Sequence, residues 1–365
     1  MINTLQIVPK LDVGGIESAL YNYYLHMDRE RIQFHFVVYG SDVGYLEEKM
    51  IQMGAVVFHV TPKKENFIKF IRELVSIYHK NKYDIVHAHQ SEKAYIPLAI
   101  AKICHVKIRI AHSHTCMSQD SHRSIKRKLL FFLNKYFATD IAYCGISAGE
   151  WAYGDAKEGK WIANGVDVDK FKFNLEKRNS LRKQYNVCDS DIVLGMMCRL
   201  SVEKNIEFAI EIMDRLVNDQ CKNNYKLFIV GDGNEKEHLD EGIRKKKLER
   251  NVFLTGQVDD AYNYYSFFDL FLLPSFYEGF PVSLVEAQCA GLCSIISDRI
   301  SREAAISDFV YSRGIDKKDL NSWIELIENF ENHGRYFNEK LKNFDSKHLA
   351  EELTRYYENL VAKNA

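Results

Sequence analysis

Hydrophobic and polar positions along the chain repeat one order: a short apolar run, a loop, then a stretch with helical spacing. In the first half, Thr4–Val8, Phe34–Tyr39, Ala55–Val60, Asp84–His89 and Asp140–Ser147 read as strands. Helices are expected from the glycines at 14 and 15 to about Leu25, near Gly44–Met53, and over Phe67–His79. The order starts again near Asp191, with strands at Ile192, Lys226–Val230, Asn251–Val258 and Phe271–Leu273. Strands alternating with helices predict doubly wound parallel α/β sheets. A chain of 365 residues is long enough for two such domains. The polar stretch Asn174–Asp191 reads as the linker and first helix of the second, and the C-terminal part reads as helical around Trp323, Phe330 and Tyr356–Leu360.

Composition narrows the classes. A formal net charge of −1 gives no bulk attraction for nucleic acid, so any basic surface is local. The eight cysteines contain no C-x-x-C pair, which predicts reduced thiols in a cytoplasmic protein and no zinc or disulfide framework. The N-terminus lacks the plan of a signal peptide, and no apolar window is long enough to span a membrane.

Several stretches could carry chemistry. After the strand Phe271–Leu273, a loop with Ser275, Glu278 and Gly279 leads to Pro281, which suits the first turn of a helix ending at Gly291. Free amides at such a helix start make an anion site. Glu278 in the loop and Glu286 in the helix, eight positions on, could each hold a hydroxylated group beside the anion. Gly14 and Gly15 let the backbone approach a ligand closely. Arg199 and Lys204 flank another strand-to-helix turn, where a planar fork and a compact cation suit phosphate oxygens. Gly231-Asp-Gly233 repeats the strand–glycine–helix plan. The pairs His87/His89 and His112/His114 each put two imidazoles on one strand face and could hold a metal, but neither a third ligand nor a supporting shell is evident. The alternative is that they line a ligand site beyond the strand ends. Between Arg123 and Lys135 there are five cations and no acid. On a helix, Ile125, Leu129, Phe132, Leu133 and Tyr136 fall on one face, expected to be core, with Leu130 and Phe131 among the cations, a pattern open to an anionic membrane surface.

The Glu278-x7-Glu286 element with Gly-Phe-Pro inside it resembles the signature of retaining glycosyltransferase family 4. Gly14-Gly15-x-Glu17, Asn164-Gly165-Val-Asp167, Arg199…Lys204 and Gly231-x-Gly233 follow in the family's order. The resemblance implies the GT-B fold: two Rossmann-like domains facing a cleft, with a final helix crossing back to the first. It places residues 1–170 with 347–365 in an acceptor domain and 171–346 in a nucleotide-sugar domain. It implies transfer of a sugar from a nucleotide sugar, expected to be a UDP-sugar, to a lipid-linked or oligosaccharide acceptor of surface polysaccharide assembly, with no metal and no cofactor. His114 and Glu278 are the expected catalytic residues. The donor would be held by Gly15, Arg199, Lys204, Gly231, Gln257, Val258, Glu278, Gly279, Phe280, Pro281, Val282, Ser283 and Glu286. Gly14, His89 and His112 fall on the acceptor side. A nucleotide-sugar 2-epimerase of the same fold, or a non-catalytic partner subunit, is the alternative reading. Asp167-x-Asp169 mimics a metal-binding pair of another glycosyltransferase fold, but it follows Asn164-Gly165, which reads as a turn, at mid-chain instead of ending a strand.

Overall fold

The computed structural model describes residues 1–12, 14–116, 125–330 and 334–364, and of 125–127 only the backbone. The chain forms two compact units: 1–167 with 343–365, and 168–342.

Unit 1 opens with β1 (Ile2–Ile7), α1 (Gly15–His26), β2 (Ile32–Tyr39), α2 (Glu47–Gln52) and β3 (Val56–Val60). It continues with α3 (Phe67–Lys80), β4 (Ile85–Ala88), α4 (Tyr95–Ile103), β5 (Ile108–Ser113) and α5 (Ile125–Phe137). β6 (Asp140–Tyr143), α6 (Ile146–Tyr153) and β7 (Lys160–Trp161) follow. Unit 2 runs α7 (Leu175–Gln184), β8 (Ile192–Met197), α8 (Ile206–Asp214), β9 (Tyr225–Val230), α9 (Lys236–Lys245) and β10 (Val252–Gly256). It then has α10 (Ala261–Phe267), β11 (Leu270–Leu273), α11 (Val282–Cys289), β12 (Cys293–Ser297), β13 (Val310–Arg313) and α12 (Leu320–Glu328). The last helix, α13 (Ser346–Asn364), belongs to unit 1.

Both sheets are parallel. Their orders are β3-β2-β1-β4-β5-β6-β7 and β10-β9-β8-β11-β12-β13. Counted from each unit's own first strand, the first reads 3-2-1-4-5-6-7 and the second 3-2-1-4-5-6, so each reverses direction beside its first strand. β4 and β11 lie inside their sheets and are buried at every position, as strands covered by helices on both faces must be. α13 packs against unit 1 through Tyr357, fully buried with its ring 6.5 Å from that of Phe34.

Three sequence expectations are corrected. The strand expected over Asp140–Ser147 stops at Tyr143, because Gly145 is already the extended N-cap of α6. Asn164-Gly165 is no turn. The chain there is extended, and Val166 pairs with the segment entering α13: its N–H donates to the Phe344 carbonyl at 2.9 Å, and Ser346 N–H donates back at 2.9 Å. Gly165 is needed for approach, since a Cβ there would sit 3.0 Å from Ser346 Cα.

The third correction is the phase of α5. Phe131 is buried, its ring 4.8 Å from Trp151, while Leu129, Phe132 and Tyr136 are exposed at 55%, 63% and 59%. The apolar run 129–133 has no polar gap from which a phase could be read. Asn134 decides it: fully buried, it donates to the Ser91 carbonyl at 2.7 Å. Arg123 lies outside the described residues, as do the side chains of Ile125, Lys126 and Arg127.

Candidate active site

Ligands of open α/β sheets sit beyond the carboxyl ends of the strands where the order reverses. In unit 2 that point lies between β8 and β11; in unit 1 it lies between β1 and β4.

At the unit 2 reversal, β8 is followed two residues on by Arg199, which is exposed, and a turn of 3-10 helix carries Lys204. Lys204 Nζ donates to both oxygens of Glu278, at 2.7 and 2.9 Å. Ser275 Oγ donates to the same carboxylate at 2.8 Å. Burial alone would lower the Lys204 pKa, but the carboxylate outweighs it and raises it, so the lysine stays charged. The two loops are tied by backbone as well: Asn205, in the left-handed region at φ 51°, donates its side chain to the Pro274 carbonyl at 3.0 Å. Phe276 N–H donates to the Glu203 carbonyl at 2.9 Å.

Pro281 is the N-cap of α11, one position ahead of the expected first turn, and no side chain among the described residues caps the helix. Gly279, Phe280, Val282 and Ser283 surround that uncapped start, and Gly291 takes the expected left-handed conformation beyond its end at φ 66°. Glu286 accepts from Tyr265 Oη at 2.5 Å. Burial pushes its carboxyl up to about 7, against the opposing effects of Tyr265 and Lys170. Gly231 follows β9 at φ 138°, and a Cβ there would lie 2.0 Å from the Cys198 carbonyl oxygen. Gln257 is exposed and Val258 half-buried just past β10.

The unit 1 reversal is built differently. Gly14 is the extended N-cap of α1, and Gly15 has open space where a side chain would stand. The two His-x-His pairs converge across β4 and β5 into a stack, with ring centroids 4.2 Å apart for His87 and His89 and 3.8 Å apart for His112 and His114. His87 Nδ1 meets Tyr357 Oη at 2.7 Å, and His87 Nε2 meets His112 Nδ1 at 3.1 Å. His89 Nε2 meets Gln6 Oε1 at 2.8 Å, and His89 Nδ1 meets His114 Nε2 at 2.9 Å. Burial holds all four neutral, His114 with its pKa lowered to about 3 and the others well below the ordinary value.

A third imidazole is therefore at hand, which the sequence did not reveal. Nitrogens of His87, His89 and His112 lie within 4.8 Å of one another. Both ring nitrogens of His87 and of His89, and one of His112, are engaged in hydrogen bonds, so this arrangement does not offer three free lone pairs to an ion.

Sequence reasoning assigned Lys204 and Glu278 separately to the donor, His114 to the sugar and His89 and His112 to the acceptor side; the structure joins Lys204 to Glu278 and brings the histidines into one stack. Sequence reasoning missed Tyr265, Ser275, Gln6 and Tyr357. Tyr265 and Tyr357 stand far from the glycine and histidine motifs in sequence, and a fully buried tyrosine carries no signal that separates it from core.

Two doubly wound sheets with a cation–carboxylate pair at one reversal suit a phosphorylated, hydroxylated ligand, and comparison with known families supplies the class of reaction. Residues 13–170 match the model of Glycosyltransferase Family 4, and residues 177–348 match that of Glycosyl transferases group 1. The chain thus carries both glycosyltransferase domains, the family 4 one followed by the group 1 one. It is 27% identical over 348 residues to EpsF of Bacillus subtilis, covering 93% of this chain and 90% of that one. It is 26% identical over 314 residues to the UDP-Gal:alpha-D-GlcNAc-diphosphoundecaprenol alpha-1,3-galactosyltransferase of Escherichia coli, covering 82% and 78%. The crystal structure of Anabaena Alr3699/HepE in complex with UDP and glucose shares the fold, with a TM-score of 0.76, 21% identity, and coverage of 100% and 97%. No helix among the described residues is long and apolar enough to cross a membrane.

Proposed function

We propose that this glycosyltransferase moves a hexose or N-acetylhexosamine from a UDP-sugar to a lipid-linked or oligosaccharide acceptor in surface polysaccharide assembly, with retention at the anomeric carbon and without a metal or cofactor. The observation that carries this reading is the Lys204–Glu278 pair at the strand reversal. An ammonium has three donors. Two are spent on Glu278, and the third remains for a diphosphate oxygen. Arg199 adds a planar fork, and the uncapped start of α11 adds amides. Together they would stabilise the charge that grows on the leaving UDP.

Glu278, held by Lys204 and Ser275, is aimed to accept from sugar hydroxyls, and Glu286, seated on Tyr265, from the ribose. Gln257 and Val258 supply backbone to the base, and Gly231 lets the chain approach the nucleotide. His114 is the unit 1 residue assigned to the reacting sugar, with His89, His112 and Gly14 on the acceptor side. The Escherichia coli relative is named for a UDP-Gal donor and a diphosphoundecaprenol acceptor, and the Anabaena structure contains UDP and glucose, which supports both substrate classes. A lipid-linked acceptor also suits α5, whose exposed Leu129, Phe132 and Tyr136 stand with exposed Lys128.

A screen of UDP-sugars reading nucleotide release in the presence of chelator tests the reading. Release that needs an acceptor and survives chelator is expected. Loss restored by manganese overturns the metal-free mechanism, and a new sugar nucleotide made from UDP-N-acetylglucosamine alone identifies an epimerase.

A further inference from the structure

We propose that Gln6 and Tyr357 are positioning residues that lock the histidine cluster into one proton arrangement, in which His112 shows an N–H and His114 a bare lone pair to a cavity that takes a single hydroxyl. The assignment follows from which groups can only accept. Thr4 Oγ1 lies 3.1 Å from the Gln33 carbonyl and must donate to it. The Thr4 oxygen is then the acceptor for Gln6 Nε2, at 3.1 Å. This fixes the Gln6 amide, so its Oε1 faces His89 Nε2, which therefore carries the proton.

A neutral ring has one proton. His89 Nδ1 is bare and accepts from His114 Nε2, which leaves His114 Nδ1 bare as well. The second proton of Gln6 Nε2 goes to Tyr357 Oη at 3.2 Å. The phenol proton then has one acceptor among the described residues, His87 Nδ1. His87 Nε2 consequently donates to His112 Nδ1, and His112 is protonated at Nε2. All four rings are thus Nε2–H tautomers.

Both chains end unsatisfied. His112 Nε2 and His114 Nδ1 are buried with no hydrogen-bond partner among the described residues. One is a donor and the other an acceptor, and both rings line the same cavity, with Tyr23 and Asn164, room for about one water-sized group. A hydroxyl accepts from the first and donates to the second. It belongs either to water or to a sugar, and the sugar source rests on the function proposed above.

Histidine-selective ¹⁵N labelling and long-range ¹H–¹⁵N spectra at pH 7.5 read each tautomer directly, with resonances assigned by single replacement. The wild type is expected to show His87, His89, His112 and His114 as neutral Nε2–H rings. Tyr357→Phe should release His87 and His112 towards Nδ1–H and spare His89 and His114; Gln6→Leu should do the reverse. This crossed pattern is one that general loosening of the fold does not produce. An Nδ1–H ring in the wild-type cluster, or the same response from all four rings in both variants, overturns the proposal. Addition of UDP, UDP-glucose, UDP-galactose and UDP-N-acetylglucosamine separates the sources. Shifts at His112 and His114 with a sugar nucleotide and not with UDP identify a sugar hydroxyl. No shift with any of them, while UDP binds by calorimetry, removes the donor sugar as the source and overturns the ligand half. Failure of UDP to bind at all counts against the proposed function and leaves the tautomers standing.

Discussion

The two strand reversals share one topology and opposite chemistry. In unit 2 the reversal holds a cation on a carboxylate, Lys204 on Glu278, beside an uncapped helix start. In unit 1 it holds four uncharged imidazoles wired to an amide and a phenol. Topology decides where a ligand can sit, and side chains decide what sits there. A charged clamp suits a diphosphate, whereas a neutral array of single donors and acceptors suits hydroxyls, which it can orient without attracting ions.

The contrast predicts opposite responses to pH, and this is the largest effect. The histidines have folded-state pKa values lowered by burial, so below about 6.5 the unfolded chain binds more protons and unit 1 loses stability as pH falls. By pH 5 the loss amounts to about 2 kcal/mol per histidine. Glu286 behaves in the other sense. Its folded-state value of about 7 exceeds the ordinary 4.5, so its contribution falls as pH rises between those values. Hydrogen exchange at pH 7.5 and 5.0, corrected for intrinsic rates, should therefore show β4 and β5 losing protection on acidification while β11 and α11 keep theirs. Equal loss in both units breaks the comparison.

Next in size is the ion pair. Glu278→Gln removes the anion that orients Lys204 and is expected to lower turnover by about 100-fold, in the range of a lost electrostatic contact in a preorganised site. UDP affinity should hold, because Lys204 remains free to meet phosphate. Steady-state kinetics beside UDP titrations check this, and a loss confined to UDP affinity would mean that Glu278 and Glu286 have been given each other's roles.

Glu286→Gln is expected to weaken UDP several-fold at pH 8 and to stabilise the protein there by roughly 1–3 kcal/mol, since it removes a carboxylate held ionised against burial. At pH 5, where the wild-type carboxyl keeps its proton, the stability difference should shrink. Urea melts at the two pH values read it.

The smallest effect concerns α5, and it extends the contrast to the surface. Each Lys or Arg near an anionic leaflet contributes about 1 kcal/mol. Charge reversal of Lys126, Arg127 and Lys128 should abolish sedimentation with anionic liposomes at low salt, and Leu129→Ser with Phe132→Ser should weaken it, with activity on a soluble acceptor spared. A wild type that ignores such vesicles removes the membrane role.

The legible parts of this molecule were those that repeat. Strands covered on both faces are continuous apolar runs, so β4, β11 and their neighbours could be read within a few residues, and glycine at positions such as Gly291 marked turns that other residues cannot make. The phase of α5 was not legible, because five apolar residues in a row fit several faces and a buried asparagine chose among them. The partners that set each site were hidden for a different reason. Tyr357 and Gln6 reach the histidines across 270 and 83 positions of sequence, and Tyr265 reaches Glu286 across 21. Nothing in local pattern announces which buried polar groups will meet.

The central claim is that nucleotide affinity resides in the charged reversal of unit 2 and not in the neutral one of unit 1. Calorimetric titration of UDP into the wild type, Lys204→Ala and His114→Ala tests it most directly. Loss of a charged hydrogen bond costs about 1.5–3 kcal/mol, so Lys204→Ala should weaken UDP roughly tenfold to a hundredfold, while His114→Ala binds UDP within about twofold of the wild type. Unchanged UDP affinity in Lys204→Ala, or its loss in His114→Ala, would contradict the account.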